Sequence, residues 1–302
     1  MKHAILFLAY KNIDHLMEYI DFMDDDFLFF IHLDKKSKFS NASIERLTSQ
    51  KNVVFVSRKY SVNWGGLNLL KALLLLAKEA LKNKEVGYLH SMSGQDFPIK
   101  SSQQIKLFFE RHNGKQFIEY FPLPSSRWVG GGINRLDYYS FYDVFNKKTK
   151  SGSKLISILL KIQKFLGFRR KPFAFFPKLY GGSAWWSLSR SCVSYVIDQL
   201  DQDPQIMVRM KHTHCPEEIL FQTVLLNSPF QSSVHGNTMT LVLWECRNGN
   251  SPATLDRSDL SKVLNSNKLF ARRFEYPVSK ELVKLIKKEV HKQSDSLITF
   301  LP

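Results

Sequence analysis

The chain has 302 residues, 44% of them hydrophobic, which suits one large α/β domain and excludes wholesale disorder. It carries 43 Lys and Arg against 27 Asp and Glu, a formal net charge of +16, so its surface attracts polyanions: nucleic acid, anionic lipid or phosphorylated ligands. No zinc-finger spacing, RNP-like strand or Arg-rich arm is present, which argues against nucleic acid. The three cysteines, Cys192, Cys215 and Cys246, are odd in number and widely spaced, so a reducing compartment is favoured over a disulfide framework.

Taken in chain order, Ala4 to Ala9 reads as a strand rather than a signal peptide, because the apolar run is too short to span a bilayer and lacks a cleavage site. Ile13 to Met23 is amphipathic, and Phe27 to Leu33 is a nearly continuous apolar run, as for a strand buried on both faces. A short helical stretch at Ile44 to Thr48 precedes a β-branched run at Val53 to Val56. Leu67 to Leu81 is a strong helix, Val86 to Met92 the next strand, and Gln103 to Phe109 a helix capped by Ser101 or Ser102. Phe117 to Tyr120 closes this series. The alternation predicts an α/β fold with a doubly wound, mostly parallel sheet flanked by helices, its ligands beyond the carboxyl ends of the strands. The second half is less regular. A strand is expected at Gly182 to Leu188, helices after Ser189 and near Pro216, a strand at Thr240 to Trp244 and a terminal helix at Lys280 to Lys292. No linker is visible, so 1–302 reads as one domain, with 1–120 as a nucleotide-binding half and 121–302 as an acceptor-binding and catalytic half.

Between Lys147 and Lys171 stand nine Lys and Arg and no acid, while Leu155, Ile158, Leu159, Ile162 and Leu166 share one helical face. This basic amphipathic helix fits two roles, a surface helix packed on the core or a contact with a membrane surface or polyanion.

Several motifs carry less than they promise. Asp24-Asp25-Asp26 precedes a buried strand and Asp201-Gln202-Asp203 follows a helix, so both read as solvated turns rather than metal sites. His212-Thr213-His214-Cys215 crowds its ligands into four residues, which does not make a tetrahedral site. There is no P-loop. More informative are separated blocks. Gly181-Gly182-Ser183-Ala184-Trp185-Trp186 joins small residues, which let a backbone approach a ligand, to Trp faces that can hold a sugar. Pro216-Glu217-Glu218 places carboxylates at a helix start, and Leu269-Phe270-Ala271-Arg272-Arg273-Phe274 sets two cations among aromatics.

Together with His32-Leu33-Asp34-Lys35-Lys36-Ser37 and Ser93-Gly94-Gln95-Asp96-Phe97-Pro98-Ile99-Lys100, these blocks resemble glycosyltransferase family 14. That family holds the core-2 and I-branching β1,6-N-acetylglucosaminyltransferases and the peptide O-xylosyltransferases. The resemblance spans nearly the whole chain and is most specific from Ser93 to Lys100. It implies a GT-A type fold and an inverting, metal-independent glycosyltransferase that uses a UDP-sugar donor, N-acetylglucosamine first and xylose as the alternative. A non-catalytic sugar- or polyanion-binding protein of the same fold is the reading from another class.

By matching motif, Glu218 is the general base, and Glu217 stands where the family usually has Asp. Asp34, Trp64, Asp96, Gly182 and Ser183 fall on the donor side. Arg273 matches the basic residue that replaces a metal at the departing diphosphate. The stretch Trp244 to Asp259 is shorter than in the animal branching enzymes, so the second diphosphate cation is left among Arg247, Arg257 and Arg272. Glu119, Arg127, Trp185 and Trp244 fall on the acceptor side, with Pro124 where the family has Lys. No cofactor is expected. The animal relatives carry an N-terminal membrane anchor and disulfides. The expectation here is a bacterial-type cytoplasmic enzyme of surface polysaccharide synthesis, acting on a glycan or lipid-linked glycan. Its basic helix would hold it at the inner face of an anionic membrane.

Overall fold

A computed structural model describes residues 1–298, with side chains described to residue 292. In chain order the elements are β1 (Lys2–Ala9), α1 (Ile13–Phe22), β2 (Phe27–Leu33), α2 (Asn41–Thr48), β3 (Val53–Ser57), α3 (Leu67–Ala80), β4 (Val86–Ser93), β5 (Asp96–Pro98), α4 (Ser102–Arg111), β6 (Gln116–Ile118), β7 (Phe121–Pro122), α5 (Asn134–Asp137), α6 (Lys150–Phe165), β8 (Tyr180–Gly181), β9 (Trp186–Ser189), α7 (Arg190–Gln202), α8 (Gln205–Met210), α9 (Leu220–Leu226), β10 (Val234–His235), β11 (Thr240–Val242), α10 (Leu260–Leu264), β12 (Phe270–Arg272) and α11 (Lys280–Ile298).

The main sheet has the order β10-β6-β9-β4-β1-β2-β3. Strands β4, β1, β2 and β3 run parallel, as the strand and helix alternation predicts. Their side chains alternate between two cores. Ala4, Leu6, Leu8, Leu28 and Phe30 pack with α3, α7 and α9 on one face. Ile5, Phe7, Phe27, Phe29 and Ile31 pack with α1, α4 and α11 on the other. A strand covered on both faces has no polar side, which is why β1 and β2 read as apolar runs. The result is a mixed α/β fold with a central, mostly parallel sheet, the GT-A type layout that the resemblance implies.

Phe117 to Tyr120 does not lie beside β4. Strand β9, from the second half of the chain, inserts between β4 and β6 and runs antiparallel to both. Of the expected strand Gly182 to Leu188 only Trp186 to Leu188 forms, within β9 of the main sheet; residues 182–185 are not strand, and β8 just before them pairs with β7 in a small ribbon. The expected strand near Thr240 lies in a separate three-stranded sheet, β11-β12-β5. Ser101 caps α4 through a reciprocal capping box with Gln104, each side chain taking the other's exposed amide.

Polar groups inside the sheet form a chain of their own. His3 Nδ1 lies 3.0 Å from His90 Nε2, and His90 Nδ1 lies 2.8 Å from Ser187 Oγ. Burial pushes His3 down to about 3 and His15 to about 4, and it holds His90 well below the ordinary 6.5. Below pH 6.5 the unfolded chain therefore takes up protons that the folded chain refuses, and stability falls with pH until the folded values near 4 and 3 are reached. Each such histidine costs about 1.4 kcal/mol per pH unit across that window. Burial keeps protons on Glu217 and Asp96, which works in the opposite sense, so the urea midpoint is expected to drop from pH 6.5 to pH 5 by less than the histidines alone would give; a midpoint that rises across that window would contradict these neutral, buried rings.

Candidate active site

The carboxyl ends of the parallel strands converge as expected for a ligand cleft. Asp34 N donates to Ala9 O at 2.8 Å and Gly94 N to Leu8 O at 3.1 Å, closing the ends of β1, β2 and β4 together. The carboxylate of Asp34 accepts from Val62 N at 3.0 Å and Lys36 N at 3.1 Å, which fixes the turn after β2.

Glu218 sits at the end of a single turn, Pro216–Glu218, that enters α9. The expected helix start is thus a 3₁₀ turn, because Cys215 takes a left-handed φ of 51° and redirects the chain. Arg135 Nη1 donates to Glu218 Oε2 at 2.6 Å, and the Arg135 guanidinium lies 3.5 Å from the ring centre of Trp128. The Glu218 side chain is 26% exposed. Burial raises its pKa above the ordinary carboxylate value, while Arg135 pulls the other way. These are the opposed influences that bring a carboxylate base towards neutral pH. Glu217, beside it, is fully buried, and burial followed by the charge of Glu218 pushes it up to about 8. It is therefore protonated at neutral pH.

Cys215 Sγ and the carboxylate oxygens of Glu217 and Glu218 lie within 4.8 Å of one another, a spacing that metal ligands share. The chemistry of the group fits a cation poorly. Arg135 already neutralises Glu218, Glu217 holds its proton, and burial raises the Cys215 thiol well above its ordinary value.

Trp64 borders this cluster. Cys215 N donates to Gly65 O at 2.9 Å, and His214 lies edge-on to Trp64 at 5.3 Å while stacking on Tyr142 at 4.4 Å. His214 is held neutral, at about 3, chiefly by burial and then by Arg135. Lys147 Nζ lies 4.8 Å over the Trp64 ring, and Lys148 Nζ lies 5.0 Å over the ring of Tyr10. The expected acceptor pair, Glu119 and Arg127, forms an ion pair at 3.1 Å with both side chains largely exposed.

Gly182 ties these parts together. Its N–H donates to Glu218 O at 2.9 Å. A Cβ at this position would stand 1.9 Å from the carbonyl oxygen of Glu119, so only glycine lets the two backbones meet. Ser183 O accepts from Gln222 Nε2 at 2.7 Å, and Ala184 O from Ser91 Oγ at 3.0 Å. Trp185, three residues beyond Gly182, lies under Arg272, whose guanidinium is 4.3 Å from the ring centre. Three residues span at most about 10–11 Å. Glu218 and Arg272 therefore flank the same short segment rather than opposite sides of the molecule.

The four arginines expected at the diphosphate have different fates. Arg272 faces Asp96 across the β5–β12 pairing, with Nε 3.5 Å from Oδ1, too long for a strong hydrogen bond. Its side chain is 12% exposed, and Nε and Nη1 are buried without hydrogen-bond partners. Burial lowers the pKa of Arg272 and raises that of Asp96. Arg273 is already engaged: Nε and Nη2 reach Glu275 Oε1 at 2.8 and 2.6 Å, and Glu275 also pairs with Lys11 at 2.5 Å and with Gln95. Arg247 is spent on its own loop, donating to Glu245, Asp256 and Asp259. Arg257 pairs with Glu281 on α11. Trp244 stands 80% exposed after β11.

Arg135, Lys11, Lys147, Lys148 and Glu275 escape the sequence reading. Arg135 lies 83 residues from Glu218, in a stretch without periodicity, and no local motif marks the pairing. The only hint was charge, since Lys147 and Lys148 open the acid-free run before α6.

Comparison with known proteins agrees with the block pattern. The Core-2/I-Branching enzyme family matches residues 4–266. Xylosyltransferase 2 of Rattus norvegicus is 25% identical over 284 residues, which is 87% of this chain and 30% of that protein. Xylosyltransferase 1 of Homo sapiens is 25% identical over 281 residues, 85% of this chain and 27% of that protein. The chain thus spans about 30% of the length of the curated relatives it matches. Among solved structures, mouse xyloside xylosyltransferase 1 in its apo form aligns with 89% of this chain and 96% of that one, at 8% identity and a TM-score of 0.37. The structure of S. aureus TarS 1–349 in complex with UDP aligns with 43% of this chain and 38% of that one, at 15% identity and a TM-score of 0.29. With the family match running from residue 4 to residue 266, the chain belongs to the Core-2/I-Branching enzyme family.

Proposed function

We propose that the protein is an inverting glycosyltransferase that moves a sugar from a UDP-sugar to a glycan hydroxyl without a metal. The observation that carries this reading is that one short segment meets Glu218, itself held by Arg135, at Gly182 and a buried Arg272 with unpaired donors at Trp185. In the reaction the acceptor oxygen attacks the anomeric carbon as the bond to the diphosphate breaks. Glu218 takes the hydroxyl proton, and the bond electrons leave with the UDP. Negative charge grows on the leaving oxygen, where fixed cations in a buried site stabilise it without reorganising. Arg272 supplies two unpaired donors there, with Arg273 and Lys11 behind it. Trp64 and Asp34 border the nucleotide side, and Glu119, Arg127 and Trp185 the acceptor side.

The first donor is UDP-N-acetylglucosamine. UDP-xylose is the second, favoured by the curated relatives being xylosyltransferases. A role in surface polysaccharide synthesis, on a glycan or lipid-linked glycan, completes the reading. The test is a panel of UDP-sugars assayed for donor hydrolysis and transfer, with and without EDTA. One donor is expected to stand out, and EDTA to leave its rate unchanged. Loss of activity in EDTA, restored by manganese, would replace the arginine account with a metal one.

A further inference from the structure

Helix α6 is anchored along a narrow strip. Gly152 is buried, while Ile156, Leu159, Leu160 and Gln163 are half-buried. The Gln163 amide pins the helix by accepting from Tyr139 N at 2.8 Å and donating to Tyr139 O at 3.0 Å. The face beside this strip is apolar and faces solvent. Leu155, Ile158 and Ile162 stand 40–48% exposed, Phe165 90%, and Leu166 and Phe168 continue the stripe past the helix end. The helix is therefore not simply a surface helix packed on the core, one of the two roles its sequence allows. Lys150, Lys154, Lys161 and Lys164 lie along the flank of that stripe, following from their i, i+4 and i+3 spacing. From Lys147 to Lys171 there is no acid to neutralise them. Of the nine cations in that run, Arg170 alone is buried, donating to Arg209 O and Lys211 O.

We propose that this face is a docking surface for an anionic lipid bilayer, with the Leu155, Ile158, Ile162 and Phe165 side chains entering the headgroup boundary and the lysines meeting the lipid charge. The two stripes discriminate among occupants. A second copy of the same face would bring like charges together with no acid between them. A nucleic-acid backbone would use the lysines but has no place for four exposed aliphatic and aromatic side chains. A charged bilayer surface satisfies both at once. The opposite side of the helix borders a cavity of about 60 Å³ lined by Arg135, Tyr142, Ile156, Leu160 and His214. Docking through α6 thus brings the Glu218 neighbourhood next to the bilayer. The docking itself is independent of the transferase reading.

The test is flotation of the full chain with vesicles of phosphatidylcholine alone or of phosphatidylcholine with phosphatidylglycerol, at low salt. At least tenfold more protein is expected to float with the anionic vesicles. The triple variant Ile158→Ser, Ile162→Ser, Phe165→Ser is expected to lower that fraction at least tenfold with an unchanged unfolding midpoint, since all three side chains lie on the surface. Lys154→Glu with Lys161→Glu is expected to do the same, and added salt to weaken binding by wild type. Absence of flotation at low salt would overturn the proposal. So would flotation that the apolar variant leaves unchanged, or a wild-type dimer, dispersed by that variant, that does not float.

Discussion

Glu218→Gln is expected to lower turnover by about 10²–10⁴-fold, the range for loss of a positioned general base, while donor affinity stays nearly constant. The glutamine keeps the size of the side chain and can still accept from Arg135, so the Gly182 contact and the Pro216–Glu218 turn should hold. The side chain is 26% exposed, so the substitution buries no new unsatisfied group of consequence. What it removes is the acceptor for the hydroxyl proton. A role in structure alone would show as a lower unfolding midpoint with a proportionate loss of donor binding. A role as base leaves both in place and abolishes the acid limb of the pH–rate profile, where wild type loses about tenfold per pH unit once the carboxylate is protonated. Unchanged turnover would remove Glu218 as the base, and absence of turnover by wild type with every UDP-sugar would sink the enzyme reading in favour of a sugar- or polyanion-binding protein.

The second large effect concerns the departing diphosphate. Arg272→Lys is expected to lower turnover by about 10²–10³-fold, comparable to removing one donor from an oxyanion site. Lysine retains the charge opposite Asp96 but loses the planar fork that suits two phosphate oxygens. Arg272→Ala is the less informative variant, since it leaves the buried Asp96 without its cation at a cost of about 3–5 kcal/mol and can fail through folding. Arg273→Lys is expected to have the smaller effect, because two of the Arg273 nitrogens are committed to Glu275 and Lys11 stands on the same carboxylate. Steady-state kinetics on both lysine variants, with an unfolding midpoint for each, checks the ranking. A larger loss at Arg273 would move the diphosphate from the Trp185 side of β12 to the Glu275 side.

Much of the architecture lies in short stretches of sequence, because its causes are local. The apolar runs of β1 and β2 announce strands covered on both faces. The Ser101–Gln104 capping box starts α4 where the side chains dictate. The blocks around Asp34, Asp96, Gly182, Glu218 and Arg273 suffice to mark the family. Each of these signals is complete within about ten residues.

The rest required the folded chain. That β9 enters the sheet antiparallel between β4 and β6 follows from how the second half wraps back, which no periodicity encodes. Which carboxylates lie near each arginine could not be read from the sequence, because those contacts join separate elements for Arg272 and Arg257. Arg135 reaches Glu218 across 83 residues, and α6 turns its apolar stripe outward because Gly152 and Gln163 fix its rotation. The amino-acid sequence by itself determined the strands and helices of the first half and the family blocks, since neighbouring residues set propensity and burial pattern. Only the tertiary structure decided which charges meet and which helix face is left uncovered, because an ion pair and a packed face need two distant parts of the chain to arrive at one place.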